Sequence, residues 1–371
     1  MKNLETLINE LCPEGVEFVK LGDICEVQRG KRLTKKQLSD QDNYPVFHGG
    51  IQPIGYYSKC NRKANTVMII NVGASAGTIG FCEQDFWSSD GCYCLSHVNE
   101  LSARYLYFLL SKNQHYFQSK VRHGGIPTLD ALVVKNFEIP LPPIEVQTEI
   151  VRILDKFTEL EAELEAELDC RKRQYEFYRD KLLSFENVGG QEVEWKTLGE
   201  LAEIGTGSSN TKDGLSEGLY PFYTRGQEVL RKNEYEFDDE AIITAGDGVG
   251  VGKVIHYVKG KYALHQRAYR FKPGDLLNAR FLYFYMTSTF YKYVCSNSVS
   301  SSVSSLRKPR LLKYPIPLLP MQEQIRIVSI LDRFESLTTS LTAGLPAEIA
   351  ARRQQYEHYR DKLLTFKSKS A

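Results

Sequence analysis

The sequence has no run approaching eighteen apolar residues, which excludes a membrane-crossing helix. Its first residues, MKNLETLINELC, hold no apolar core of the secretory kind, so the chain is expected in the cytoplasm, with no membrane among its partners. The eight cysteines are scattered and form no CxxC pair, which argues against a disulfide framework. Catalytic signatures are missing as well: there is no GxSxG, no HExxH and no NPPY- or DPPY-like methyltransferase motif. The glycine-rich stretch GDGVGVGK at residues 246–253 fits no frame of GxGxxG. It fails the Walker pattern because Asp247 stands where the first glycine belongs and Val254 where Ser or Thr should follow the lysine. These glycines read as tight turns between strands. A nuclease-like ExK at Glu194, Trp195 and Lys196 lacks a convincing upstream acid and reads as a strand end. Cys92, Cys94 and His97, with Cys82 nearby, do not have the spacing of a zinc knuckle, and their alternation with Tyr93 and Leu95 suits a half-buried strand. No catalytic residue and no metal site is expected.

What the chain does contain is a repeat. RKRQYEFYRDKLLSF at residues 171–185 returns as RRQQYEHYRDKLLTF at residues 352–366. Shifting the sequence by 177 positions sets Leu21-Gly22-Asp23-Ile24 on Leu198-Gly199-Glu200-Leu201, and Ile153-Leu154-Asp155 on Ile330-Leu331-Asp332. At Tyr175 and Tyr356 the offset has grown to 181, so the second copy holds four extra residues. The first copy has instead the tetrads ELEA at 159–162 and 163–166. The order is a variable segment, a near-constant segment, and the same again, as expected of one architecture with two different ligands.

The near-constant segments are helical by pattern. Ile150, Ile153, Phe157, Leu160, Leu164, Leu168, Tyr175, Tyr178, Leu182 and Phe185 keep to one stripe. Phe334, Leu337, Leu341, Leu345, Ile349, Tyr356, Tyr359, Leu363 and Phe366 repeat it. Forty residues at 1.5 Å each make a rod about 60 Å long, and a long rod with a single stripe needs a partner. The expected fold is α+β: two mixed α/β domains separated by two long helices, paired as an antiparallel coiled coil in a pseudo-two-fold repeat. The expected divisions are 1–140 and 190–317 for the domains and 141–189 and 318–371 for the helical spacers. Prolines at 140, 142, 143 and at 315, 317, 320 mark where the helices begin. Gly344 and Pro346 predict a break in the second. Within the domains, strands are expected at 67–70 and 241–244 and single helices at 103–110 and 279–286.

The net charge of +1 hides a separation of sign. Residues 17–138 carry fourteen Lys and Arg against eleven Asp and Glu, and residues 196–313 seventeen against twelve. Residues 145–186 carry seven against twelve. Basic domains on an acidic spacer suit a polyanion such as DNA, where Lys and Arg neutralise phosphates and other side chains read base edges. The candidate readers in the first domain are Arg29, Lys31, Arg32, His48, Asn71, Ser75, Asp90, Arg122 and His123. In the second they are Thr224, Arg225, Asp247, His265, Gln266, Arg267, Ser302, Ser304 and Arg307. Arginine and lysine suit guanine, asparagine and glutamine suit adenine, and aspartate accepts from cytosine. The rival reading is a two-domain scaffold that binds proteins or glycans and never touches DNA.

The residues LPPIEVQTEIVRILDKF at 141–157, their partner LLPMQEQIRIVSILDRF at 318–334, the ELEA tetrads and the paired YRDKLL motifs resemble the specificity (S) subunit of type I restriction-modification systems. The resemblance covers essentially the whole chain. It implies two target recognition domains, each reading one half of a split double-stranded DNA target, and helices that space them and dock two methyltransferase (M) subunits. Restriction (R) subunits can join. It also implies that this chain is non-catalytic and binds no cofactor, with S-adenosylmethionine, ATP and Mg held by the partner subunits. The N-terminal helix at 4–11 is expected near the C-terminal rod.

Overall fold

The computed structural model describes residues 4–97, 100–185, 193–296, 305–340 and 343–369. They form two compact units, residues 1–164 with 349–371, and residues 165–348.

In the first unit a four-stranded antiparallel sheet has the order Cys25–Arg29, Cys92–His97, Thr66–Ile70, Ile79–Cys82. Thr66–Ile70 is rich in the β-branched and apolar residues that strands favour. Successive side chains point to opposite faces of a sheet. Val67 and Ile69 accordingly enter the main core with the helix Ala103–Lys112, while Met68 and Ile70 enter a second core with Phe47, Phe86, Cys92 and Cys94. Residues 92–95 of the Cys92–His97 strand are therefore buried on both faces, not half-buried as the alternation predicts: Tyr93 and Leu95 face one core, Cys92 and Cys94 the other, and Ser96 beyond them is exposed. Burial pushes the Cys92 thiol up to about 12, and among the described residues no cluster of His, Cys, Asp or Glu could hold a metal. A smaller sheet pairs Tyr44–Phe47 with Tyr56–Tyr57 and, in parallel, with Trp87–Ser88.

The second unit is built alike. Its six strands run in the order Ala202–Thr206, Ala268–Pro273, Phe237–Ala245, Ile255–Leu264, Tyr220–Tyr223, Leu230–Lys232. One neighbouring pair is parallel, Tyr220–Tyr223 on Ile255–Leu264. The helix Ala279–Ser296 runs ten residues past its expected end because Phe290 and Val294 continue the buried stripe at steps of four from Met286. The hydroxyls of Thr287 and Thr289 bond back to helix carbonyls and so fit the helix. Glu194, Trp195 and Lys196 lie in the strand Glu194–Thr197, paired with Pro315–Leu318, and the first unit repeats this pair as Glu17–Lys20 on Glu138–Leu141.

The helix Ile144–Leu183 is unbroken over 40 residues. Its counterpart is split into Met321–Thr339 and Leu345–Leu363, with Gly344 at φ +85 between them. That left-handed backbone favours glycine, and the expected break falls there. Within the first unit Phe157 stacks on Tyr359 with centroids 5.5 Å apart, and Glu161 pairs with Arg353. Numbers rise on one helix as they fall on the other, so this pairing is antiparallel. Within the second unit Tyr178 stacks on Phe334 at 5.8 Å. Phe157 and Phe334 are repeat equivalents, as are Tyr178 and Tyr359, so both units use one contact with the roles exchanged. The N-terminal helix Leu4–Leu11 joins the same core as Tyr356, Leu363 and Phe366. Val16 and the C-terminal segment exchange backbone bonds of 2.9 Å through Lys367 O and Lys369 N. No described helix is long and apolar enough to cross a membrane.

Each unit is fastened to its long helix by one buried glutamine and one arginine. Gln147 accepts from Ser102 N–H and donates to the carbonyls of Glu100 and Pro142, each at 2.8 Å. Gln324 repeats this with Asn278 N–H (2.8 Å) and the carbonyls of Leu276 (3.0 Å) and Leu319 (2.8 Å). Arg104 and Arg280 lie over aromatic rings and donate to Asp155 at 2.7 Å and Asp332 at 2.8 Å. Replacing either fully buried glutamine by alanine strips partners from three backbone groups, and is expected to cost about 3 kcal/mol. Denaturant unfolding of Gln147→Ala and Gln324→Ala checks this, and wild-type midpoints for both would contradict it.

Candidate nucleic-acid interface

The predicted readers of the first unit gather where parallel strands end together. Tyr44–Phe47 delivers His48, and Trp87–Ser88 delivers Ser89 and Asp90. His48 Nδ1 lies 3.2 Å from Ser89 Oγ and 3.3 Å from Asp90 Oδ1. Arg29, ending the edge strand Cys25–Arg29, donates from Nε to the Asp90 carbonyl at 2.8 Å. Lys31 N–H donates to Ser88 O at 2.9 Å, and Trp87 Nε1 donates to Lys31 O at 2.7 Å. Arg29, Lys31, His48 and Asp90 are thus brought together, and Arg32 is exposed on the chain that follows.

A glycine turn and a loop border this cluster. Asn71 begins the turn, its N–H donating to Gly91 O at 3.1 Å and its carbonyl accepting from Leu129 N–H at 2.9 Å. Its side chain is buried, with no protein partner for Oδ1 among the described residues. Ser75 is half-buried and caps the turn through its carbonyl and Thr78 N–H. The loop holding the exposed Arg122 and His123 is closed by paired Arg122 and Thr128 backbones, and Gly73 N–H donates to Pro127 O at 2.9 Å. Arg122 lies 3.5 Å from Asp130.

The second unit builds the same frame from other side chains. Tyr223 and Leu264 are parallel partners and deliver Thr224 and His265. Both are buried, so neither is presented at the surface. His265 Nδ1 accepts from Arg267 N–H at 3.0 Å. Burial first, then the nearby Arg225 charge, hold the His265 pKa below its ordinary value, which suits a neutral imidazole serving as acceptor. Gln266 donates to Asn210 Oδ1 at 2.7 Å. Asp247, on the glycine turn, accepts from Arg225 at 2.8 Å and from Arg267 at 3.1 Å. Burial opposes ionisation of Asp247, but the hydrogen bonds and charges of the two arginines outweigh it, so its carboxyl lies below the usual range. Arg307 is exposed just before the short helix Lys308–Leu312. Ser302 and Ser304 lie outside the described residues.

The two frames correspond closely. Gly73 and Gly77, with φ +94 and +86, match Gly248 and Gly252, with φ +81 and +74. The bridge of Val72 to Thr128 matches that of Asp247 to Ser305. Sequence reasoning missed Asn61, whose amide holds both backbone groups of Ser88, Asn210, and Val249, which is 99% exposed at the tip of its turn. The pattern around Asn61 and Asn210 carries no signal, but an apolar residue inside GDGVGVGK could have been read as a loop tip.

An α/β frame that carries exposed basic and polar side chains at its strand ends, occurring once in each unit, defines a binding protein with two similar recognition surfaces. The family described as Type I restriction modification DNA specificity domain matches residues 13–169 and again residues 191–351, once per repeat. The chain belongs to that family and is a DNA specificity subunit of a type I restriction-modification system. It is 36% identical to the Type I restriction enzyme EcoR124I/EcoR124II specificity subunit of Escherichia coli, over 99% of this chain and 97% of that one. It is 29% identical to a putative type I restriction enzyme specificity subunit of Haemophilus influenzae, over 99% of this chain and 100% of that one. The fold is similar to the crystal structure of the type I restriction-modification S subunit from M. genitalium, with a TM-score of 0.63 at 19% identity, covering 94% of this chain and 96% of that one.

Proposed function

We propose that the two units each read one half of a bipartite double-stranded DNA target, residues 1–140 and 190–317 serving as recognition domains on helical spacers at 141–189 and 318–371. The observation that carries this reading is the strand-end frame present twice with different side chains: His48, Asp90 and Arg29 in one copy, Arg225, Asp247 and Arg267 in the other. One frame with two chemistries is what two unlike half-sites require. Arg32, Ser75, Arg122, His123, Gln266 and Arg307 supply further polar contacts around the two clusters. Asn71, Thr224 and His265 shape them from beneath.

The near-constant helices dock two methyltransferase subunits, and restriction subunits complete the assembly. S-adenosylmethionine, ATP and Mg act on those partners, and this chain supplies recognition and spacing without chemistry of its own. The complex works on intracellular DNA. Family membership sets aside the scaffold that never touches DNA.

The test is a domain exchange. Replacing residues 15–139 by the matching segment of another specificity subunit, with adenine methylation mapped by single-molecule sequencing, should change one half of the methylated sequence and leave the other intact. A change in both halves would contradict the modular reading.

A further inference from the structure

Asp247 sits on the glycine turn with one carboxylate oxygen on each of two arginines, 2.8 Å from Arg225 Nη1 and 3.1 Å from Arg267 Nη1. Two positive charges meet one negative charge, so the group keeps a net positive charge. Each guanidinium spends one of its five N–H donors on Asp247, and among the described residues neither makes another hydrogen bond through its side chain. The Arg267 side chain is 63% exposed and that of Arg225 40%. A structural ion pair would consume more of these donors, as Arg270 does with Asp239, Glu203 and the Tyr262 hydroxyl.

The backbone beneath is held from several sides. Gly246 N–H donates to Arg267 O at 2.9 Å and Leu306 N–H to Gly246 O at 2.8 Å, while Arg267 N–H is fixed on His265 Nδ1. A Cβ on Gly250 would lie 2.4 Å from the Arg225 carbonyl, so the turn seats directly against the residue it orients. An exposed arginine ordinarily loses rotamer freedom when it binds, and ordering it beforehand lowers that cost.

Resting on the two-half-site reading, we propose that Arg225 and Arg267 read guanine in the half-site of the second unit, and that Asp247 is a positioning residue that aims them and touches no base. Guanine offers two acceptors, O6 and N7, on its major-groove edge, which a planar guanidinium meets with two parallel donors. Both Asp247 oxygens already accept from the arginines and its side chain is only 25% exposed, which suits a carboxylate that orients its neighbours. Among its described residues the first unit has no such device. By strand register and bridge partner, its positions matching Arg225, Asp247 and Arg267 are Gly49, Val72 and Gly91. Guanine read by arginines aimed in this way therefore belongs to one half of the target only.

The test uses the full chain in complex with its methyltransferase partner, on a library of randomised bipartite duplexes, with methylated adenines read by sequencing. Arg225→Lys and Arg267→Lys keep the charge and lose the fork. Each is expected to lower discrimination at a guanine position of one half by about 5- to 150-fold, the range spanned by one bidentate contact. Asp247→Ala should relax the same positions and leave the other half unchanged. The proposal is overturned if both lysine variants keep the wild-type motif, since a phosphate contact needs only charge. It is also overturned if Asp247→Ala slows methylation of all sequences equally without relaxing any base, which is what a merely structural carboxylate predicts. Should Asp247→Ala not fold, the lysine variants decide the guanine assignment, and Asp247→Asn, which keeps the shape, decides the positioning role by the same relaxation. A lysine result against the proposal leaves the domain exchange untouched, so the two failures are distinguishable.

Discussion

Removal of residues 163–166 abolishes methylation of the natural target and moves it to sites with the same two half-sequences set one or two base pairs closer: this is the expected result of shortening the spacer. The four residues are the second ELEA tetrad and lie inside the unbroken helix Ile144–Leu183. Four residues amount to about 6 Å of helix at 1.5 Å each and slightly more than one turn, so the apolar stripe nearly keeps its phase. The rise of DNA per base pair is about 3.4 Å, which converts that length into one or two base pairs. Phe157, stacked on Tyr359, and Tyr178, stacked on Phe334, flank the deletion. Methylation mapping decides the matter. An unchanged spacer, in a variant that still assembles and methylates, would show that helix length does not set the distance.

The second large effect concerns stability. Arg270 has a side chain only 5% exposed, ion-paired to Asp239, itself 13% exposed, and to the more open Glu203. Its Nε donates to the Tyr262 hydroxyl at 2.9 Å, and its guanidinium lies 4.7 Å from the Phe237 ring centroid. Arg270→Ala leaves the largely buried Asp239 carboxylate without its counter-charge, with only the Tyr262 hydroxyl still donating to it at 2.9 Å. Breaking such a pair costs about 3–5 kcal/mol because an uncompensated charge remains out of water. The pair itself need contribute little, since removing both partners also removes the desolvation they share. Arg270→Ala/Asp239→Ala is therefore expected to be less destabilised than the sum of the two single variants, with a coupling of about 1–3 kcal/mol. Equilibrium denaturation of the four proteins measures it, and strict additivity would refute the account.

Much of the architecture was legible because it rests on long periodic signals. A stripe held over forty residues leaves little room for anything but a helix, and the glycine at 344 marked the break that the backbone shows. Legibility failed where both faces of an element are apolar. At residues 92–95 alternation between cysteine and larger apolar residues suggested one wet face, yet a sheet lying between two cores buries both. It failed again beyond residue 286, where threonines concealed the continuation of the expected helix, which uses their hydroxyls against its own carbonyls.

The candidate site shows the same division more sharply. Residue type nominated Arg225, Asp247 and Arg267 one by one, but nothing along the chain pairs them, because they are about twenty residues apart and meet only when Tyr220–Tyr223 and Ile255–Leu264 end side by side. Residue type also nominated Asn71, Thr224 and His265, which the fold buries, since a polar side chain announces a need for partners but not on which side it finds them. What the sequence by itself determined is the duplication, the helical spacers and the family, all carried by local periodicity and by motifs contiguous in the chain. The tertiary structure alone decided which polar residues share a surface and which arginines are aimed by a carboxylate, because those proximities arise from strand pairings across distant segments, and no local energy term records them.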